Sequence, residues 1–112
     1  MEQPRTGTGN RRAAIRRKPR GVQVRCRRGS MGLGPDIGLT LHNISEAGAL
    51  LVVSAALQPS EEVELQFDAP TFPKPMRVLA NVVRAAPVPG NLYCVAVRFQ
   101  KLLCYADFSR LT

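Results

Sequence analysis

The sequence predicts an all-β fold: six antiparallel strands curled into a small barrel, a short C-terminal helix over one end, and a flexible basic arm in front. Three observations carry that expectation. From Gly21 onward apolar residues recur mostly at every second position, the period of strands with one buried face. The runs are short and separated by hairpin-length breaks rich in Gly, Pro and Asn, which favours a closed barrel with no long open edge. Before Gly21 the apolar side chains are only Met1, Ala13, Ala14 and Ile15, too few to build a core. Residues 1–20 are therefore expected as an arm and 21–112 as one folded domain with a modest core.

Each element follows from its own pattern. Val22, Val24 and Cys26 alternate with Gln23, Arg25 and Arg27, giving a first strand with a polar or basic outer face. Gly29, Gly32, Gly34 and Pro35 make residues 29–36 a loop. Ile37, Leu39 and Leu41 alternate with Gly38, Thr40 and His42 in a second strand, which runs into a tight turn over residues 43–48. Residues 49–54 form a third, more continuously apolar strand. After a break at Gln58, Pro59 and Ser60, Val63, Leu65 and Phe67 alternate with Glu62, Glu64 and Gln66 in a fourth. Pro70, Pro73 and Pro75 keep residues 69–75 out of any ladder. Residues 77–84 read as a fifth strand, 87–91 as a turn, and Tyr93, Val95, Val97 and Phe99 as the inward face of a sixth. Leu103, Tyr105, Ala106, Phe108 and Leu111 then suit a short helix that plugs the barrel.

Charge is segregated along the chain. Residues 1–30 hold ten Lys or Arg against one acid, Glu2, whereas the remainder holds six basic and seven acidic residues. Such a distribution points to an anionic partner met by the arm. No run approaches a membrane span and the arm lacks the apolar stretch of a secretory signal, so the cytoplasm is the expected location. Cys26, Cys94 and Cys104 form an odd set without CxxC spacing, indicating neither a disulfide framework nor a zinc site, and are read as buried or inert thiols.

Two segments together look like halves of one anion site. Arg11, Arg12 and Arg16 offer forked, permanently charged donors that fit phosphate oxygens and the O6/N7 edge of guanine. About thirty residues later, Asn43, Ser45 and Gly48 punctuate a turn with short polar side chains and a glycine that lets backbone approach a ligand closely. Arg25, Arg27 and Arg28 either decorate a solvated strand face or extend the basic surface. His42 reads as an exposed strand residue, Asp36 as a loop residue, and Glu61, Glu62 and Glu64 as a solvated face. With one histidine, no nucleophile beside an evident base and no metal-ligand cluster, catalysis is not expected. The loop at 29–34 lacks the GK[ST] ending of a phosphate-binding loop.

An RxxxR motif in an N-terminal arm, followed after the first strand by [D/N]xSxxG between the second and third, resembles the PilZ domain family. The likeness runs from about Asn10 to the end of the chain and includes the strand count and the ending. It implies a PilZ-like six-stranded barrel with a C-terminal helix that binds the bacterial second messenger cyclic di-GMP. By position, Asn43, Ser45 and Gly48 match the turn motif. Arg12 with Arg16 and Arg16 with Arg20 both satisfy RxxxR; the first pair is preferred, since the family leaves several residues between its second arginine and the first strand. Arg11 then precedes the motif, as in members that bind an intercalated ligand dimer. The resemblance implies a downstream protein partner that responds to arm closure. Two other classes compete: a basic small barrel that binds nucleic acid, and a PilZ-like adaptor without ligand. Against the first, the six aromatic residues are assigned to core, loop or helix and leave no stacking platform.

Overall fold

The computed structural model describes residues 17, 19, 21–31, 33–70 and 72–111, without the side chain of Tyr105. Arg11, Arg12, Arg16 and Arg20 lie outside the described residues. Six strands and one helix are present: β1 Gln23–Arg28, β2 Gly38–Ile44, β3 Gly48–Val53, β4 Glu62–Asp68, β5 Met76–Val88, β6 Leu92–Phe99 and α1 Tyr105–Leu111. The strands form one antiparallel sheet in the order β1-β4-β5-β6-β3-β2. The expected all-β class, strand count and terminal helix are all present.

The sheet curls until β1 and β2, its two ends, meet. Instead of a continuous ladder, the described residues show two separate cross-links to β2, one from β1 and one from Arg17 ahead of it. At one, the Ile37 N–H donates to the Cys26 carbonyl at 2.8 Å, and the Asp36 carboxylate accepts from both the Cys26 and Gly38 N–H groups at 2.9 Å. Gly38 is needed there because a Cβ would lie 2.9 Å from the Cys26 nitrogen and the Val24 carbonyl oxygen. At the other, Arg17 and Ile44 exchange two main-chain bonds of 2.8 and 2.9 Å in an antiparallel bridge. Nine steps of chain from Arg17 to Cys26 face seven from Ile37 to Ile44. Between the two cross-links lie Pro19, which has no N–H, and Gly21, whose φ is 59°.

The core follows the period-two pattern. Val24 and Cys26 of β1, Val63, Leu65 and Phe67 of β4, and Val95, Val97 and Phe99 of β6 are all buried. Phe67 and Phe99 meet edge to face with centroids 6.2 Å apart. Each such apolar side chain stabilises the fold by roughly 1.5–3 kcal/mol before the cost of ordering it. Phe108 and Leu111 place α1 on this cluster, so a helix of seven residues is held by packing rather than by its own propensity.

Departures from the expected pattern have local causes. Leu39, expected inward, is 51% exposed, because register shifts between Gly38 and Thr40 and between Leu41 and Asn43 break the alternation of β2. The turn contracts to residues 45–47, with Asn43 and Ile44 in β2 and Gly48 in β3. β5 runs on through Pro87 to Val88, where a turn was expected. β4 starts opposite Asn81, so the later residues of β5 have no β4 ladder to supply and a proline is tolerated. Glu64, expected on a solvated face, is 2% exposed and ion-paired to Arg77. Asp36 is less a loop residue than the clasp between β1 and β2. Of the thiols, Cys26 is buried but Cys94 is half-buried and Cys104 exposed.

Candidate functional site

The turn between β2 and β3 is built by one hydroxyl. The Ser45 N–H donates to the Gly48 carbonyl at 2.8 Å, while Ser45 Oγ accepts from the Ala47 and Gly48 N–H groups at 3.2 and 3.1 Å and donates to the Gly48 carbonyl at 3.3 Å. Ser45 is 2% exposed, so its hydroxyl is committed to the turn and fixes backbone that a ligand would meet. Gly48 is required by space. A Cβ there would fall well inside 3.0 Å of the Val97 carbonyl oxygen on β6. Asn43 is half-buried near the end of β2, opposite Leu50.

Three neighbouring segments converge on this turn. Ile44, immediately before Ser45, carries the bridge to Arg17. The Glu46 carbonyl accepts from the Leu103 N–H and the Ala47 carbonyl from the Phe99 N–H, at 2.9 and 2.8 Å, which fastens the chain leading into α1 to the same turn. The Arg17 guanidinium lies 5.9 Å from the centroid of the Phe108 ring on α1, within cation–π range.

Beside the turn is an open cavity of about 240 Å³, lined by Ser45, Ala47 and Gly48 together with Val83 and Arg84 of β5 and Ala96, Val97 and Arg98 of β6. Its charged residues are two arginines and no acid, and neither arginine has an ion-pair partner among the described residues. A register shift between Val82 and Arg84 leaves Val83 and Arg84 both exposed toward it, although strict alternation would point one inward. Sequence reasoning did not select these two arginines. Arg98 was legible as the outward neighbour of Val97 and Phe99, whereas Arg84 depends on the bulge.

A larger cavity of about 460 Å³ lies where β5 starts and the chain enters α1, lined among others by Arg77, Leu79, Lys101, Cys104 and Asp107. Its charges are mixed and it contains none of the turn residues, so the smaller basic cavity is the better match to an anion. Cys26 lines neither cavity, and burial, reinforced by Asp36 and Glu61, pushes its thiol up to about 12. Of the six residues singled out in the sequence, Asn43, Ser45 and Gly48 are thus brought together at one turn, and Arg11, Arg12 and Arg16 fall outside the described residues.

A curled six-stranded antiparallel sheet with Arg17 bridged to β2, a Ser- and Gly-built turn after it and a packed terminal helix defines the class as a small all-β barrel. The PilZ domain model matches residues 10–103, and the chain belongs to the PilZ domain family. Among solved structures, that of the Bacillus subtilis inhibitor of motility (MotI/DgrA) is similar, with a TM-score of 0.63 and 18% identity over 91% of this chain and 48% of that one. At that identity the likeness is one of fold, and the chain spans about half the length of that protein. No curated protein matches the sequence. No helix among the described residues is long and apolar enough to cross a membrane.

Proposed function

We propose that this chain is a receptor for cyclic di-GMP that acts in the cytoplasm by arm closure and passes the signal to a partner protein by contact. In this reading Arg11, Arg12 and Arg16 supply bidentate donors and stacking cations to the guanines and phosphates, and Asn43, Ser45 and Gly48 shape the floor on which the ligand rests. The observation that carries it is the Arg17–Ile44 bridge beside a cavity walled by Arg84 and Arg98. The bridge sets the Arg17 backbone beside Ile44, one residue before Ser45. Arg12 and Arg16 are kept as the ligand pair over Arg16 and Arg20 because a motif ending at Arg20 would leave almost no residues before β1.

At about 240 Å³ the cavity is smaller than the roughly 300–1,000 Å³ of a ligand pocket, which leaves a wall for the arm to supply. Ordering the arm costs about 1–2 kcal/mol per residue and is offset by charge-assisted hydrogen bonds of about 1.5–3 kcal/mol each. The role is binding, with no catalytic step assigned to the turn, whose serine hydroxyl is already committed. A nucleic-acid reading has less support: Phe67, Phe99 and Phe108 are buried and Phe72 and Tyr93 half-buried, which offers single strands no stacking platform among the described residues.

Isothermal titration calorimetry of cyclic di-GMP, with GTP and a short single-stranded oligonucleotide as controls, tests the proposal. Saturable binding of the cyclic dinucleotide alone is expected. Arg16→Ala should weaken it by roughly 10- to 100-fold, the loss of one charge-assisted pair. Retained oligonucleotide binding with no dinucleotide binding would refute the receptor reading. Loss on Arg20→Ala with Arg12→Ala unaffected would refute only the register. One ligand per chain would count against an intercalated dimer.

A further inference from the structure

We propose that Arg17 is a positioning residue that ties occupancy of the ligand site to the order of α1; this deepens the cyclic di-GMP reading and rests on it. Arg17 makes two kinds of contact with two different elements. Its backbone exchanges both hydrogen bonds with Ile44, one residue before the ligand turn. Its guanidinium lies over Phe108, a buried residue of α1. Arg17 also follows Arg16 directly, so one peptide step, about 3.8 Å between Cα atoms, separates a proposed ligand donor from the residue held to the helix.

A second route joins the same parts from the other side. The Glu46 carbonyl of the turn holds the Leu103 N–H, and the first turn of α1 begins with the Phe108 N–H donating to the Cys104 carbonyl at 3.0 Å. The helix is therefore attached to the turn through Leu103 and to the arm through Arg17. A seven-residue helix has no stability of its own in water and stays folded only through such attachments. Elements at this low end of the stability range are those whose population a ligand shifts most readily.

The sense of the coupling follows. A ligand that clamps Arg16 to the turn keeps the adjacent Arg17 in register with Ile44 and its guanidinium over Phe108, so α1 becomes more ordered when the site is filled. By reciprocity, a helix held in place favours ligand binding by the same factor. Arg17 need not touch the ligand to do this.

Amide hydrogen exchange across residues 103–111, read by mass spectrometry with and without cyclic di-GMP, tests the coupling. Alkylation of the exposed Cys104 provides a second readout in the unmodified chain, with the buried Cys26 as an internal control. In the wild type, ligand should slow exchange of the α1 amides and change the rate at which Cys104 reacts. Arg17→Ala keeps the main-chain bridge but removes the cation. It should weaken binding by about two- to five-fold, the worth of one exposed cation–π contact, and abolish the α1 response. Arg17→Lys should restore most of that response and Arg17→Met, which keeps an apolar stem without the charge, should not, whereas a merely space-filling role predicts that both restore it. Phe108→Leu should bind ligand with the helix uncoupled. Ligand binding without any change in α1 would overturn this proposal and leave the receptor reading standing. An unchanged α1 response in Arg17→Ala would also overturn it. No binding by the wild type would remove both.

Discussion

Gly48→Ala tests whether the motif glycine acts through backbone packing. Gly48 begins β3, faces Arg98 of β6 across the ladder and donates its N–H to Ser45 Oγ at 3.1 Å. A methyl group there would crowd the Val97 carbonyl oxygen, and would also lie 3.3 Å from the Val97 carbonyl carbon and 3.4 Å from the Arg98 Cα. All three are backbone atoms, so no rotamer change relieves them. β3 must move away from β6 at its first residues. Overpacking of this kind costs about 1–3 kcal/mol, and a weakened buried ladder bond roughly 0.5–1.5 kcal/mol more. About 2–4 kcal/mol is a large share of the roughly 5–15 kcal/mol that holds a domain together. At about 4–8 °C per kcal/mol for a domain near this size, the melting temperature should fall by on the order of 10–20 °C. Urea unfolding followed by circular dichroism gives the free energy, and the slope with denaturant should stay unchanged. A Gly48→Ala variant within about 0.5 kcal/mol of wild type would refute the reasoning, for then the β3–β6 contact yields without cost.

Two further predictions concern the clasp between β1 and β2. Asp36→Ala leaves the Cys26 and Gly38 N–H groups without their shared acceptor and should destabilise the domain by about 1–3 kcal/mol in urea unfolding; an unchanged midpoint would mean that the clasp contributes nothing to closure. The Cys26 thiol, raised from 9.0 to about 12 chiefly by burial, sets an alkaline limit. The unfolded chain loses this proton first, so the stabilisation is complete below about pH 9 and declines progressively as pH rises toward 12, by roughly 4 kcal/mol across that window. Urea midpoints measured from about pH 8 to 11 should fall in the wild type and less steeply in Cys26→Val; parallel slopes would show that other groups govern alkaline unfolding.

Much of the barrel was legible because its strands are amphipathic in a simple way. The alternation in β1, β4 and β6 identified Val24, Cys26, Val63, Leu65, Phe67, Val95, Val97 and Phe99 as core, and all are buried. What was not legible depends on contacts distant in sequence. Leu39 lies outside because β2 is bulged against β3, a feature with no signal in β2 itself. Pro87 sits in a strand because its neighbour β4 happens to begin opposite Asn81. Glu64 is buried because Arg77, two places off its paired residue on β5, reaches it. At the site, the turn residues were visible through their chemistry and Arg98 could be read as outward-facing, but neither Arg98 nor Arg84 could be placed at the site, since only the fold brings β5 and β6 beside that turn.

The strand order also prescribes a sequence of assembly. β2 with β3, and β4 with β5 and β6, are neighbours both along the chain and in the sheet, so each group can pair locally. Two pairings are distant instead: β1 with β4 across 35 to 45 residues, as from Arg28 to Val63 and from Gln23 to Asp68, and β3 with β6 across 40 to 50, as from Val53 to Tyr93 and from Gly48 to Arg98. Such distant pairings close larger loops than the hairpins do and are the slower events. The β2–β3 turn is local, whereas the Arg17–Ile44 bridge spans 27 residues, so the turn can form before Arg17 lies across it. Under the proposed function, a ligand that needs both the turn and the arm stabilises only chains in which that bridge has closed, and by mass action gives no help to a chain stalled before it.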